Sequence, residues 1–360
     1  MRIALVSPLF ESVPPQFYGG TERVVAYLSD ALMNLGHEVT LFASGDSRTG
    51  ARLRAPCRRA LRLDKSCRDP IPHHVLELAM VEAEAGDFDI IHFHTDLLHL
   101  PLARRLNIPS VTTLHGRLDL PDIKNLYYEF DDLPLVSISD HQRLPLAFAN
   151  WIRTVHHGLP LELLNFHPRA GNYLAFLGRI SKEKRVDRAI EIARIAGKKI
   201  KIAAKIDKAD ESYYQGVAHF LRQPHVEFIG EINEGQKSEF LGNAEALLFP
   251  IDWPEPFGLV MIEAMATGTP VIAYGEGSVP EIVRERENGF IVRSVEEAAA
   301  AVHTLKGIDR AGCRASFEKH FSAERMARDY LSVYESLIEQ RGGQVIPLTA
   351  PSQPAGWRAG

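Results

Sequence analysis

Two carboxylates eight residues apart, Glu255 and Glu263, are the first residues whose type and position suggest chemistry. Glu263 interrupts the segment LVMIEAMA, which is apolar nearly all round, and Glu255 stands in the preceding loop IDWPEPFG. A carboxylate buried in such a helix costs free energy unless it has a partner. Two neutral hydroxyls of a bound ribose could be that partner. Alternatively, Glu263 pairs with a structural Arg or Lys and Glu255 caps the helix, and helix physics alone favours neither reading.

The start of the same helix, predicted between Phe257 and Leu259, is a candidate anion site. The first backbone N–H groups of a helix have no intrahelical partner, and together they suit a phosphate. Gly258 would let a ligand approach the backbone closely.

A basic segment, GRISKEKRVD, follows another predicted strand. Its cations include Arg179 and Lys184, which could bind an anionic ligand. Taken by itself, the segment is more simply a solvated, charged helix start.

The segment YGGTERVV places Gly19 and Gly20 between the loop after the first strand and a helix that Thr21 is expected to cap. Two adjacent glycines are weak evidence, since most such pairs are turns. The segment does not match G-x-G-x-x-G, and the chain has no G-x-x-x-x-G-K-[ST] motif. These observations exclude a nicotinamide-type fingerprint and a phosphate loop of that kind.

Histidines stand at the ends of two predicted strands. His115, in TLHG, ends one of them, where a lone histidine is more often structural than functional. His92 and His94, in DIIHFHTD, fall on the same face of another strand. No third ligand is evident, so we do not expect a zinc site.

Apolar runs that alternate with helical periodicity predict βαβ units and parallel sheets. The strands of the first half are RIALVS, HEVTLFAS, DIIHFHTD, SVTTLH and LPLVSIS. The pattern restarts near residue 172 with NYLAFLG, the helix SKEKRVDRAIEIARIAG, and then KKIKIAAKI, VEFIGE, EALLFP and PVIAYG. Ligands bind beyond the carboxyl ends of such strands, so the cleft between the halves is the expected site.

Composition sets further bounds. The chain has 360 residues, which favours two domains, and its net charge of −5 gives no general signal for nucleic acid. Its three cysteines match neither a metal site nor an even disulfide framework, which favours a reducing compartment. We find no signal peptide and no apolar run of roughly 20 residues, and therefore expect a cytoplasmic protein.

The stretch EPFGLVMIEAMATGTPVIA…GSVPEIV resembles the E-x7-E signature of glycosyltransferase family 4, whose members are retaining enzymes of the GT-B fold. The resemblance extends over about residues 1 to 340. It implies an α/β fold with two Rossmann-like domains whose parallel sheets face each other across a cleft. We expect an acceptor domain over 1–165, a nucleotide-sugar domain over 166–340 whose last helix crosses back, and a flexible tail over 341–360.

The resemblance also implies roles for the candidate residues. Glu255 would hold the donor sugar and Glu263 the ribose, while the backbone from Phe257 through Gly258 and Leu259 to Val260 would meet the sugar and diphosphate. Arg179 and Lys184 take the positions of the family's phosphate contacts, although the glycine that normally follows the Lys is replaced by Arg185. The remaining positions expected at the site are Gly19 and Gly20 near the phosphates, His115 near the sugar and Ile232 near the base.

The activity implied is transfer of a hexose from a nucleotide sugar, a UDP-sugar rather than a GDP-sugar, to a hydroxyl of a lipid, saccharide or small molecule. No cofactor and no divalent metal are expected. Other GT-B activities (a phosphorylase, or a nucleotide-sugar hydrolase or epimerase) and a non-catalytic sugar-nucleotide binding protein stay open as alternatives.

Three remaining features lie outside the signature. Asp87 and Asp89 form a D-x-D, the metal motif of the other large glycosyltransferase fold, but they precede a strand and so fall at the wrong end of the sheet. Asp96, just beyond HFH, could face the acceptor. The segment Arg48–Arg68 has eight Lys or Arg and one acid; it is either a solvated loop or helix, or a peripheral contact with the inner membrane face.

Overall fold

The computed structural model describes residues 1–16 and 19–342. Its first half contains a sheet of parallel strands: β1 (Arg2–Val6), β2 (Glu38–Phe42), β3 (Arg52–Arg54), β4 (Ile90–Phe93), β5 (Ser110–Thr113), β6 (Leu135–Ser137) and β7 (Trp151–Thr154). Their order in the sheet is β3-β2-β1-β4-β5-β6-β7. The helices of this half are α1 (Gly20–Asn34), α2 (Ile71–Glu84), α3 (Leu100–Ala103) and α4 (Pro121–Glu129).

The second half repeats the arrangement. Its parallel strands are β8 (Tyr173–Arg179), β9 (Lys199–Lys205), β10 (Val226–Gly230), β11 (Ala244–Phe249), β12 (Val271–Tyr274) and β13 (Gly289–Val292), in the order β10-β9-β8-β11-β12-β13. Its helices are α5 (Val186–Ile195), α6 (Glu211–Val217), α7 (Glu234–Gly242), α8 (Leu259–Ala266), α9 (Val279–Ile282), α10 (Val295–Thr304), α11 (Arg310–His320) and α12 (Ala323–Gly342). The predicted pair of parallel α/β sheets is therefore confirmed.

Helix faces follow the predicted periodicity. The sequence predicts one apolar stripe for α1, of which Val24, Leu28, Ala31 and Leu32 are buried and Leu35 is half-buried. Gly36 has a φ of +86°, which permits the turn after the helix. For α5, the sequence predicts an apolar face of five residues, and all five are buried, the last of them at the C-cap: Val186, Ala189, Ile190, Ala193 and Ala196.

The last helix returns to the first sheet. The Tyr334 hydroxyl lies 2.7 Å from His92 Nδ1, and the Tyr330 hydroxyl lies 2.9 Å from the Thr113 hydroxyl. Both tyrosines are fully buried, so α12 is part of the core beside β4 and β5.

The sequence-based reading missed three strands, β3, β7 and β13, and each forms an edge of its sheet. An edge strand is covered less than a central one; in β7, Ile152 and Arg153 are exposed. Continuous apolar runs arise where both faces of a strand are buried, and this signal is weak in edge strands.

Two helix starts also differ from the prediction. Thr21 does not cap α1, because the N-cap residue is Gly19 and Thr21 lies inside the first turn. The helix α5 begins at Val186 rather than near Ser181, because Arg185 has a left-handed φ of +52°. From residue 343 onward, the predicted tail lies outside the described residues.

Candidate active site

Side chains from both halves meet beyond the carboxyl ends of the strands. His115 follows β5, Phe257 follows β11, and His157 lies between them. The ring of His157 stacks on His115 at 5.3 Å and meets Phe257 edge-on at 4.8 Å. This contact brings the predicted sugar-facing histidine and the predicted donor loop into one site.

Glu255 lies in the loop between β11 and α8, and the structure does not make it a helix cap. Its Oε2 accepts hydrogen bonds from the Lys184 ammonium and, at 2.8 Å, from the Trp253 indole N–H. Among the described residues, no hydrogen bond reaches the other carboxylate oxygen, Oε1. A carboxylate can accept several hydrogen bonds at each oxygen, so Oε1 is available to an outside donor.

The N-terminus of α8 follows directly. Gly258 is its N-cap residue with a φ of +80°, a conformation that L side chains rarely adopt, and a Cβ there would lie 2.9 Å from Met261 Cε. Within the described part of the chain, the backbone N–H groups of Phe257, Leu259 and Val260 have no hydrogen-bond acceptor. N–H groups of this kind suit an anion, so the anion site stays a prediction that this geometry allows.

Glu263 is buried one turn into α8 and has the ionic partners that one of the two sequence readings anticipates. Its Oε1 accepts from Lys237 Nζ at 2.6 Å and from Arg23 Nη1 at 3.4 Å. Burial would raise the pKa of Glu263, but the charges of Lys237 and Arg23 outweigh it and hold this pKa below its usual value. Here too, the described residues donate nothing to the second oxygen, Oε2.

The two acids thus share one geometry. Each is held through a single oxygen by two protein donors, and each keeps its other oxygen unused among the described residues. Sequence reasoning missed the donors Arg23, Lys237 and Trp253. Trp253 is two residues from Glu255 in the quoted loop, whereas no local pattern marks Lys237 or Arg23.

The predicted phosphate contacts are paired with carboxylates. Arg179, at the end of β8, lies 3.3 Å from Asp210, 3.8 Å from Asp207 and 3.9 Å from Glu183. Lys184 binds Glu255, and its ammonium lies 5.5 Å from the centre of a Trp253 ring. Arg185, at the position where the family has glycine, does not point freely to solvent; it pairs with Asp187 and with Asp252, and Asp252 lies in the loop of Glu255.

His115 belongs to a cluster of three histidines. Its Nε2 lies 2.8 Å from His94 Nδ1, and the third member, His157, stacks on it. Among the described residues, His94 Nε2, His115 Nδ1 and His157 Nδ1 are buried without a hydrogen-bond partner. Burial lowers the pKa of His115 to about 3, so all its contacts are those of a neutral ring. His92, by contrast, has a structural place, bonded to Tyr334 and Thr113.

The remaining predicted site positions are in the glycine loop at the start of α1, before α7 and after β4. A Cβ on Gly19 would lie 2.9 Å from Pro15 Cβ, so the loop packs tightly there, while Gly20 borders open space. Residues 17 and 18 of this loop are outside the described chain. Ile232 precedes α7, the helix that carries Lys237, and Asp96 is exposed just beyond β4.

The D-x-D segment and the basic segment are both separate from Glu255 and Glu263. Asp89 accepts hydrogen bonds from the backbone and guanidinium of Arg2, which is at the amino end of the sheet. The segment Arg48–Arg68 contains the short strand β3 and turns rather than a helix. No helix among the described residues is long and apolar enough to cross a membrane.

Comparison with known proteins agrees with this architecture. Residues 18–153 match the family model Glycosyltransferase Family 4, and residues 165–309 match Glycosyl transferases group 1. The fold is that of the Anabaena protein HepE in complex with UDP and glucose, with a TM-score of 0.71 and 16% identity over 94% of this chain and 100% of that one.

Two curated relatives cover most of the chain. An uncharacterized glycosyltransferase of Methanocaldococcus jannaschii is 25% identical over 95% of this chain and 100% of its own length. A phosphatidyl-myo-inositol mannosyltransferase of Mycolicibacterium smegmatis is 25% identical over 86% of this chain and 84% of its own. Fold and matches together make this chain a glycosyltransferase of the GT-B type. The models on its two halves and the relatives further support the family 4 type that the sequence suggests.

Proposed function

We propose that the protein transfers a hexose from a nucleotide-sugar donor to an acceptor hydroxyl, with retention at the anomeric carbon. The observation that supports this most directly is the shared geometry of Glu255 and Glu263. Each is held rigidly through one oxygen while the other is unused among the described residues. Sugar and ribose hydroxyls are neutral donors that suit such an oxygen and add no charge to a buried site.

In this proposal Glu255 binds hydroxyls of the transferred sugar and Glu263 binds the ribose. The diphosphate lies at the N-terminus of α8, where the N–H groups of Leu259 and Val260 have no acceptor within the described chain. Ile232 lines the base. A UDP-sugar is favoured over a GDP-sugar, which agrees with the UDP bound by the structurally similar HepE.

The transfer breaks the bond between the anomeric carbon and the β-phosphate oxygen, and that oxygen keeps the electron pair. A new bond forms from the acceptor oxygen to the same face of the anomeric carbon, and the acceptor proton passes to the departing phosphate. Lys184, Arg179 and the helix N-terminus supply positive charge at the leaving group, so we propose that no divalent metal is needed. Arg179 would exchange a carboxylate partner for phosphate.

The first half is proposed to hold the acceptor, with Gly19 and Gly20 beside the donor phosphates and His115 beside the sugar. His115 presents a neutral ring, which can accept or donate a hydrogen bond to a sugar hydroxyl without placing a charge next to the reacting carbon. Asp96 is exposed beyond β4, on the acceptor side.

We also propose that this cytoplasmic enzyme contacts an anionic membrane surface through the first half. Basic residues Arg58, Arg59, Arg62, Lys65 and Arg68 are exposed, and the following helix α2 exposes Ile71, Val75 and Leu76. Adjacent positive charge and apolar side chains complement an anionic bilayer.

The donor is tested by thermal shift with UDP, GDP and ADP and their glucose, mannose and N-acetylglucosamine forms, without added metal. A ligand that binds only the folded protein raises the Tm. One sugar nucleotide that stands out, with the shift reduced in Glu263→Gln, supports the assignment.

Product analysis with and without acceptor then separates transfer from a phosphorylase, hydrolase or epimerase. A protein that binds a sugar nucleotide and never turns it over is the non-catalytic alternative.

A further inference from the structure

Arg23 is in the first turn of α1, in the first half of the chain, and it pairs with two acids of the second half. Its Nη1 lies 3.4 Å from Glu263 Oε1, and its Nη2 lies 3.2 Å from Glu234 Oε2. The side chain is only 16% exposed, so it crosses between the halves as a largely buried ion pair.

The two acids of the site differ in where their donors come from. Both donors of Glu255, Lys184 and Trp253, belong to the second half. Glu263 is held by Lys237 from the second half and by Arg23 from the first. Among the described residues, therefore, Glu263 is the one of these two acids that is bonded directly to both halves.

Lys237 and Arg23 are unequal partners of Glu263. Lys237 Nζ lies 2.6 Å from Oε1, at the short end for a charge-assisted hydrogen bond, and 3.1 Å from Glu234. Arg23 reaches the same oxygen at 3.4 Å. Lys237 on α7 thus neutralises Glu263 within its own half, while the longer contact of Arg23 can be lost without leaving the acid unpaired.

The four charges, from Arg23, Glu234, Lys237 and Glu263, balance as two cations and two anions. A ribose hydroxyl that donates to the unused Oε2 of Glu263 adds no charge to this network. Ribose binding and the Arg23 contact are therefore compatible in the same arrangement of the two halves.

We propose that Arg23 is a positioning residue that holds the first half against the nucleotide-binding acid, and so couples nucleotide occupancy to the arrangement of the two halves. The inference rests on the proposed role of Glu263 as the ribose ligand. Coupling is reciprocal: the arrangement of the halves in which Arg23 contacts Glu263 is also the one in which two cations hold Oε1 and leave Oε2 for the ribose, so loss of the Arg23 contact weakens nucleotide binding.

The test compares the full-length protein with Arg23→Gln, the conservative variant Arg23→Lys, and a control, Arg194→Gln. Arg194 forms an exposed ion pair with Glu191 inside the second half. Small-angle scattering gives the radius of gyration with and without UDP, and calorimetry gives the UDP Kd. We expect Arg23→Gln to enlarge the radius of gyration without ligand and to raise the Kd about fivefold. Arg23→Lys should have a smaller effect on both the radius of gyration and the UDP Kd, and Arg194→Gln should change neither quantity.

The outcomes separate this inference from the proposed function. If UDP binds the parent protein and Arg23→Gln leaves both the Kd and the radius of gyration unchanged, Arg23 has no coupling role and the nucleotide site stands. If none of the nucleotides in the donor panel binds the parent protein, the ribose assignment and the coupling fall together. A change in thermal stability alone, with both readouts unmoved, would mark Arg23 as merely structural.

Discussion

Lys237 Nζ lies 2.6 Å from Oε1 of Glu263, and this pair joins α7 to α8 inside the second half. Both side chains are nearly buried, at 9% and 3% exposure. A buried ion pair of this kind adds little net stability, but removing one partner leaves an uncompensated charge. The pair therefore places an ionised carboxylate where the apolar character of α8 would otherwise favour a neutral one.

The first prediction concerns this pair. Lys237→Met should raise the pKa of Glu263, because burial then acts against one remaining cation, Arg23. The free energy of unfolding should fall by about 3 kcal/mol, as measured by urea denaturation at pH 7.5. Nucleotide affinity should fall as well and recover partly at higher pH, since the carboxylate ionises again. Unchanged stability and affinity would show that Lys237 does not hold Glu263.

The second prediction concerns Glu255. Glu255→Gln keeps the size of the side chain but replaces one oxygen with an NH2 group, which donates hydrogen bonds and cannot accept them. We expect kcat to fall about 100-fold or more with little change in UDP affinity, while Tm falls because Lys184 loses its charged partner. The matched control is Glu191→Gln, which changes an exposed acid on α5. Near-normal turnover by Glu255→Gln would contradict the sugar-binding role.

The third prediction is acid sensitivity from buried histidines. Burial lowers the pKa of His92, His94, His99, His115 and His157, and it brings those of His99 and His115 to about 3. In the unfolded chain these rings bind protons near pH 6.5, so the unfolded state binds more protons between about pH 6.5 and pH 3. Stability should therefore decline as the pH falls through this window.

The size of this effect is bounded by linkage. Each neutral buried histidine can contribute at most about 1.4 kcal/mol per pH unit. Urea denaturation at pH 7.5 and pH 5.5 measures how steeply the free energy of unfolding changes with pH. His115→Gln should reduce this slope by up to about 1.4 kcal/mol per pH unit, the contribution of one proton. The same slope in the parent protein and in His115→Gln would show that this histidine is not held neutral.

The fourth prediction tests the membrane contact. In sedimentation with vesicles, the protein should bind bilayers that contain phosphatidylglycerol more strongly than pure phosphatidylcholine, and added salt should weaken binding. The double variant Val75→Glu, Leu76→Glu should lose most of it. Leu144→Glu is the control, because Leu144 is 61% exposed in the first half but outside α2 and the basic segment. Equal loss in both variants, or no binding to either bilayer, would contradict the proposed surface.

Much of this protein could be predicted from its sequence. The central strands, the buried faces of α1 and α5 and the spacing of Glu255 and Glu263 are all local patterns, because a residue's burial repeats with the period of its own strand or helix. Gly258 and the N-terminus of α8 are local for the same reason. Each of these features depends on residues within a few turns of one another.

The tertiary structure decided the remaining features, namely the edge strands and the contacts between distant residues. These features depend on which distant segments pack together. The edge strands β3, β7 and β13 have too little burial to produce a strong pattern. Arg23 and Glu263 are 240 residues apart, and only the packing of the halves brings them together. The same holds for the stacking of His157 between His115 and Phe257, and for which oxygen of each acid the protein's own donors occupy. The sequence determined that two acids stand at a helix start, and the fold determined which oxygen of each acid the described donors hold.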